Sequence, residues 1–391
     1  MAIEASNQAG RHDRIRLGMV GGGQGAFIGA VHRIAARIDD QFELVAGALA
    51  SDPIRAKASA RELGLASDRA YGSFEEMAKA EAARADGIEA VAIVTPNHMH
   101  APVAKAFLQA GIHVICDKPL TTTVAEAEEL VALVRTTGRV FVVTHNYTGY
   151  PMVRQARAMV ANGELGEIRL VQAEYLQDWL TERLEASNHK QAAWRTDPAR
   201  SGAGGCIGDI GTHAYNLACF VSGLELDELL AELSTFVEGR RLDDDVQILL
   251  KWKGGAKGML WASQVAVGNE NALTLRIYGS KGGLEWAQEN PNQLWFTPHG
   301  RPRQLLTRGG AGAIGAAARV TRVPSGHPEG YLEGFATIYA EAARAIRAAR
   351  AGEKPDPNVL FPTVEDGLAG VKFIDAAVKS SACKGAWVRM R

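Results

Sequence analysis

Two rhythms of apolar and polar positions divide this chain. From Ile15 to Thr144, short continuous apolar runs alternate with stretches of helical spacing. Ile15–Val20 reads as a strand that runs into Gly21-Gly22-Gly23-Gln24-Gly25-Ala26, with a helix to about residue 36. Phe42–Ala50 reads as a second strand, and Pro53–Leu63 as a helix stopped by Gly64. Ala90–Thr95 is almost wholly apolar, as a strand is when both faces of its sheet are covered. Pro102–Ala110 is a helix ended by Gly111, and His113–Cys116 is again a strand. Thr123 and Glu126 make the pattern of a capping box, whose hydroxyl and carboxylate satisfy the first free N–H groups of a helix. Val124, Ala127, Val131 and Val134 form the apolar face of that helix, Gly138 ends it, and Val140–Thr144 completes the series. Such alternation predicts a doubly wound parallel sheet with helices on both sides.

Beyond Tyr150 the rhythm changes. Leu170–Tyr175, Glu232–Val237, Val246–Trp252, Ala256–Ser263 and Leu273–Tyr278 read as strands, with turns such as Lys253-Gly254-Gly255 and Ser280-Lys281-Gly282-Gly283. Hairpin-like spacing predicts a mostly antiparallel second sheet. Residues 299–328, rich in Gly, Ala, Arg and Pro, read as a long excursion. Leu332, Phe335, Tyr339, Ala342 and Ile346 mark one late helix; Val364, Leu368, Val371 and Val378 mark another. The expected division is a flexible tail over 1–13, one domain over 14–149 and a second over 150–391.

Gly21-x-Gly23-x-x-Ala26 sits between a strand and a helix. Glycines there let the backbone turn tightly and approach a pyrophosphate, whose charge is favoured at a helix N-terminus. In that frame the turn is a dinucleotide-binding signature, with Gln24, Gly25 and Phe27 beside the phosphates. The acidic residue expected at the end of the second strand is replaced by Ala50-Ser51, with Asp52 just beyond and Arg55 near. A carboxylate repels a 2′-phosphate and an arginine accepts one, so Ser51, Asp52 and Arg55 leave NAD against NADP open, with NAD expected first.

Loops at the carboxyl ends of parallel strands line the ligand crevice. Thr95-Pro96-Asn97-His98-Met99-His100 is one such loop, and Asn97 and His100 are its candidates to face a cofactor; His98 reads as a surface residue. Cys116-Asp117-Lys118-Pro119-Leu120 is another, and a lysine followed by proline there is placed to reach the crevice, although most lysines are solvated. Asn146 and Tyr147 follow the last strand of the first series, where either a nicotinamide or a plain domain-junction turn belongs.

Asp209 and His213 stand four apart in Gly208-Asp209-Ile210-Gly211-Thr212-His213, on one helical face beside the stripe Ile210, Ala214, Leu217 and Val221. An imidazole with a pKa near ~6.5 moves protons at neutral pH, and a carboxylate can orient it. An N-cap aspartate touching a helix histidine has the same spacing. Gln177 and Asp178 alternate at a strand exit, so at most one faces a pocket. Trp179 and Trp194 suit either a core or a sugar platform. Asp243-Asp244-Asp245 reads as a solvated turn, and no third ligand beside Asp209 and His213 suggests a metal.

Composition narrows the class. With 43 basic against 44 acidic residues and a net charge of −1, the chain lacks the basic excess of a nucleic-acid binder. No uncharged apolar run approaches the ~20 residues of a membrane span, and Met1–Arg14 has no apolar signal core, so a cytoplasmic protein is expected. Cys116, Cys206, Cys219 and Cys383 share no CxxC spacing, which argues against zinc and disulfide frameworks.

The glycine turn, Thr95-Pro96-Asn97, Asp117-Lys118-Pro119, Trp194-Arg195 and Gly208–His213 come in the order seen in the glucose–fructose oxidoreductase/inositol dehydrogenase (Gfo/Idh/MocA) family, which the chain resembles from Arg14 onward. The family's usual Glu-Lys-Pro stands here as Asp117-Lys118-Pro119, one methylene shorter in its acid. The resemblance implies an N-terminal Rossmann domain and a C-terminal α/β domain whose open sheet mediates a homodimer or homotetramer. It places Lys118, Asp209 and His213 in catalysis and Trp194 and Arg195 at the cofactor. Tyr147, Gln177 and Trp179 join those three as substrate candidates. Tyr175–Trp179 and Gly326-His327-Pro328-Glu329-Gly330 resemble members acting on pyranosides and anhydrosugars, such as levoglucosan dehydrogenases. The expected activity is NAD(P)-dependent oxidation of a secondary alcohol of a sugar, anhydrosugar or cyclitol, with the proton passing to Lys118 or His213. A glycosidase using transient oxidation by NAD and a ligand-sensing regulator are the alternatives.

Overall fold

The computed structural model of the protein describes residues 14–390 except Asn188; the tail expected over 1–13 lies outside them. The chain forms two compact units. Strands β1 (Ile15–Gly21), β2 (Phe42–Ala48), β3 (Ala90–Val94), β4 (His113–Cys116) and β5 (Phe141–Val143) make the parallel sheet of the first, in the order β2-β1-β3-β4-β5. A lone parallel bridge, Gly47 to Ala70, extends it past β2. Helices α1 (Phe27–Ile38), α2 (Pro53–Glu62), α3 (Phe74–Ala82), α4 (His100–Gln109) and α5 (Val124–Thr137) connect the strands. Every residue of β3 is buried, which accounts for its unbroken apolar run. Strand order reverses between β1 and β3, and ligands of open α/β sheets bind outside the carboxyl ends of the strands at such a point. This is a Rossmann domain.

The helix Tyr331–Ala351 belongs to this first unit, together with residues up to 368. Its Phe335, Tyr339, Ala342 and Ile346 share one buried core with Ile15, Leu17, Val31 and Phe42. Burial of the larger of these, such as Phe335, Ile346 and Leu17, stabilises by about 1.5–3 kcal/mol each. A division at 149/150 follows chain order, whereas the Rossmann core takes an apolar stripe from a segment that returns nearly two hundred residues later.

In the second unit, β6 (Ile168–Leu176), β7 (Leu226–Ser234), β8 (Asp245–Trp252), β9 (Lys257–Ser263), β10 (Ala272–Gly279), β11 (Gly282–Ala287), β12 (Gln293–Pro298), β13 (Gln304–Thr307) and β14 (Val388–Arg389) form one sheet. Its order is β13-β12-β11-β10-β6-β9-β8-β7-β14, and β6 with β9 is its parallel pair in an otherwise antiparallel ladder. Helices α6 (Pro151–Ala161) and α7 (Thr212–Ser222) pack together, and α7 lies on β6 and β10. Leu170, Leu249, Met259, Trp261 and Tyr278 stay exposed. β7 starts earlier than the expected Glu232, because a register shift between Leu226 and Glu228 breaks the two-residue alternation that marks a strand. The region read as an excursion, 299–328, holds β13.

Candidate active site

The glycine turn of the first unit is shaped by its backbone. Gly21, Gly22 and Gly25 have φ of 79°, 73° and 72°, a region that favours glycine. A Cβ on Gly23 would lie 2.6 Å from both the Leu49 carbonyl and the Ser59 hydroxyl. Gly23 N–H donates to Leu49 O (3.1 Å), Gln24 N–H to Ser59 Oγ (3.1 Å), and Arg33 Nη1 to Gly22 O (2.7 Å). Behind the turn, α1 begins after Ala26 with no side-chain cap and no acidic residue in its first turn. Its leading N–H groups therefore keep their capacity for an anion. Gly22, Gly23, Gln24, Gly25, Ala26 and Phe27 line a cleft with Arg33, Ser59, Glu62 and Leu63.

Ser51, Asp52 and Arg55 are exposed near the end of β2. Asp52 is the N-cap of α2, its Oδ1 accepting Arg55 N–H at 2.8 Å, so the Asp52 carboxylate and the Arg55 backbone are tied together. Thr95 and Pro96 are half-buried and Asn97 is buried. His100 serves the loops themselves: it is fully buried, with Nδ1 2.8 Å from Pro119 O and Nε2 3.0 Å from Thr95 O. Both ring nitrogens thus meet backbone carbonyls, which sets His100 between the Thr95 and Pro119 loops rather than in open space.

The Asp117 carboxylate accepts from Lys118 N–H (3.0 Å) and the Thr144 hydroxyl (2.9 Å), which fixes the strand end that carries Lys118. Burial, joined by the Lys118 charge and opposed by Asp117, lowers the pKa of His145 to about 3. Asn146 and Tyr147 are buried in the next turn, and Asn146 Nδ2 has no hydrogen-bond partner among the described residues.

In the second unit a π-helical turn, Ile207–Gly211, leads into α7 and carries Asp209; His213 is the second residue of α7 and is buried. Widened turns of this kind inside helices recur at functional sites. Arg195 Nε lies 3.2 Å from Asp209 Oδ2, and Gln264 Nε2 donates to the same oxygen at 2.9 Å. The Arg195 guanidinium also lies over the Trp194 ring, 4.3 Å from its centroid. Tyr175 approaches the His213 ring with centroids 6.2 Å apart. From there a polar line runs outward: Tyr175 Oη and Gln177 Nε2 both donate to Asn271 Oδ1 at 2.8 Å, and Trp179 Nε1 donates to Gln177 Oε1 at 3.0 Å. Asp178 instead accepts Gly268 N–H at 3.0 Å.

Residues 15–156 match the model of the oxidoreductase family with an NAD-binding Rossmann fold, and residues 153–285 match the GFO/IDH/MocA C-terminal domain. The chain belongs to the Gfo/Idh/MocA oxidoreductase family. An oxidoreductase from Sinorhizobium meliloti of known crystal structure is 61% identical, with a TM-score of 0.88 over 96% of this chain and 99% of that one. An inositol dehydrogenase homolog from Azotobacter vinelandii, complexed with NADH and myo-inositol, is 37% identical, with a TM-score of 0.90 over 96% and 98%. Levoglucosan dehydrogenase of Pseudarthrobacter phenanthrenivorans is 29% identical over 410 residues, 96% of this chain and 97% of that protein.

The first unit is an NAD-binding Rossmann domain by family, and its glycine cleft fits such a cofactor. The lack of a Cβ on Gly23 lets the turn pack directly against Leu49 and Ser59, and the uncapped start of α1 offers N–H groups to a pyrophosphate. Two residues of the second unit, Gln264 and Asn271, escaped the sequence reading, and a third, Asp243, was placed in a solvated turn. A polar residue directly after the apolar strand β9 was the available signal for Gln264; Asn271 carried none. Asp243, Asp244 and Asp245 were read as solvated, yet are only 8%, 0% and 5% exposed. Asp244 pairs with Arg240 at 3.1 Å, and Asp245 accepts Trp261 Nε1 at 2.9 Å. In Gly326–Gly330, Glu329 pairs with buried Arg308 at 3.0 Å and accepts the N–H groups of Arg322 and Val323, which folds that loop on itself. No helix among the described residues is long and apolar enough to cross a membrane.

Proposed function

We propose that the protein is an NAD-dependent dehydrogenase that oxidises a secondary alcohol of a sugar, anhydrosugar or cyclitol. The observation that carries this reading is Asp209, held by Arg195 and Gln264 four residues before His213, in a chain whose glycine cleft suits NAD. Bound NAD supplies the acceptor for the hydride leaving the carbinol carbon. His213 or Lys118 receives the hydroxyl proton, at an imidazole nitrogen or at Nζ. Asp209 orients the imidazole and steadies its cation, and an ammonium at Lys118 stabilises developing alkoxide charge. Gln177, Trp179 and Tyr147 are the proposed substrate contacts, because a ladder of amide and indole groups suits a molecule with several hydroxyls. The relatives support the substrate class: myo-inositol and levoglucosan are both cyclic molecules with ring hydroxyls.

A panel of sugars, anhydrosugars and cyclitols with NAD and NADP, followed by absorbance of the reduced cofactor, tests the assignment. Reduction with at least one cyclic polyol is expected. Silence across the panel with cleavage of a chromogenic glycoside would make it a glycosidase, and silence in both with ligand binding a sensor. The open face of the second unit's sheet, with Leu170, Leu249, Met259 and Trp261 exposed, supports assembly into a dimer or tetramer. A monomer in light scattering at micromolar concentration would refute that part.

A further inference from the structure

We infer that Asp243 and Gln264 are positioning residues for the Asp209–His213 pair, one gripping the backbone that enters the π-helical turn and the other gripping the Asp209 carboxylate. The inference rests on the dehydrogenase reading for its meaning, and on the following geometry for its substance.

Three consecutive N–H groups converge on one aspartate. Gly205 N–H donates to Asp243 Oδ1 (2.6 Å), Ile207 N–H to Asp243 Oδ2 (2.8 Å), and Cys206 N–H to the Asp243 carbonyl (2.8 Å). The first N–H groups of a helix have no partner within the helix, and a carboxylate is their strongest acceptor. Here that acceptor comes from more than thirty residues further along the chain and is buried. Gly205 leaves no slack, because a Cβ there would lie 2.3 Å from the Asp243 carbonyl oxygen. Asp209 N–H in turn donates to Gly205 O at 2.9 Å, so what fixes Gly205 fixes the next turn of helix.

The second grip starts from the adjacent residue. Gln264 N–H donates to Asp244 O at 2.8 Å, and Gln264 Nε2 donates to Asp209 Oδ2 at 2.9 Å. Gln264 is 2% exposed, so its amide holds one orientation. The acidic run therefore sets both the height of the turn and the rotation of the Asp209 carboxylate. A displacement of about 1 Å at a reacting group can cost roughly a hundredfold in rate.

Gln264→Met keeps the shape and deletes the donor to Asp209. Asp243→Asn keeps the volume and turns an amide N–H toward a backbone N–H. Each variant should lower kcat by roughly 10–100-fold, with the NADH dissociation constant and the KM for NAD moving less than about twofold. The imidazole proton signals of His213, followed by NMR without substrate, should shift in both. Unchanged kcat per NADH-binding molecule with an unmoved His213 signal would overturn the inference, as would equal losses in kcat and NADH affinity. If Asp243→Asn does not fold, Gln264→Met decides, since it leaves the backbone grip intact. A wild-type protein inactive on every polyol would sink the dehydrogenase reading, while the His213 signal would still report on the positioning frame.

Discussion

The glycine cleft of the first unit and the Asp209–His213 turn of the second hold their groups by opposite means. In the cleft the backbone is the binding surface, and the residues that shape it, Gly21 to Phe27, are neighbours in sequence. In the turn the proposed functional groups are side chains, and the residues that steady them, Arg195, Asp243 and Gln264, are scattered over some seventy positions. A backbone site tolerates almost any side chain nearby and no Cβ within it. A side-chain site tolerates changes in the loop between its parts and fails when its distant supports move. The two should therefore break differently.

The largest effect belongs to the proposed proton carriers. His213→Ala and Lys118→Met should each lower kcat by about 10²–10⁴, the usual loss of a general acid or base. NADH affinity should stay within a few-fold in His213→Ala, since that residue lies in the other unit from the glycine turn. Fluorescence titration of NADH beside steady-state kinetics reads both; full activity in His213→Ala would remove it from proton transfer.

Gly23→Ala attacks the other half. The added methyl meets the Leu49 carbonyl and the Ser59 hydroxyl, and overpacking of that kind costs about 1–3 kcal/mol. NADH affinity should fall by roughly tenfold or more, with the His213 NMR signals unmoved. Unaltered affinity would show that the cleft has more room than its geometry allows.

Buried histidines of the first unit and Asp243 of the second titrate in opposite senses. Burial lowers the pKa of His145 to about 3, and those of His32 and His113 to about 4, with Arg139 adding to the effect at His113. Unfolded, they take up protons near ~6.5, so the stability that goes with their neutral form is complete above that pH and is lost as pH falls toward 4. Asp243 runs the other way: burial pushes its pKa up to about 6, against the pull of its two N–H donors. Between ~3.9 and 6 the folded state holds that proton more tightly, and the contribution of Asp243 declines as pH rises. Urea midpoints should fall on acidification from pH ~6.5 to ~4.5, and more steeply in Asp243→Asn, which removes the opposing group. Equal slopes in the two proteins would contradict the assignment for Asp243.

The smallest effect is on cofactor choice. Asp52→Asn keeps the α2 cap and removes its charge, so any preference for NAD over NADP should narrow by a few-fold while stability changes by less than about 1 kcal/mol. Dissociation constants for both cofactors measure it, and an unchanged ratio would place the ribose away from Asp52.

The same contrast explains what could be read from residues alone. The glycine turn announces itself because its requirement is local: residues without side chains, at fixed offsets, between a strand and a helix. β3 and the stripe on Tyr331–Ala351 were readable for a similar reason, as each is a periodic pattern within one element. Which core that stripe joins was not, because membership is decided by where the chain returns. Asp209 and His213 were singled out by their spacing and by family resemblance. Their supports carry no spacing relative to them. Asp243 was misread because three adjacent acids resemble a solvated turn until the N–H groups of Gly205 and Ile207 are in view. A histidine near a crevice likewise gives no sign that the Thr95 and Pro119 carbonyls both approach its ring, as they do at His100.

In the proposed reaction, hydride leaves a ring carbon bearing a hydroxyl. A cyclic polyol that turns over, deuterated at its carbinol carbons and supplied with NAD, tests it directly. One deuterium per turnover should appear on the nicotinamide ring of the NADH formed, in wild type and, more slowly, in His213→Ala. Substrate consumed without labelled NADH, or glycoside cleaved with no net reduced cofactor, would rule out this dehydrogenase reaction.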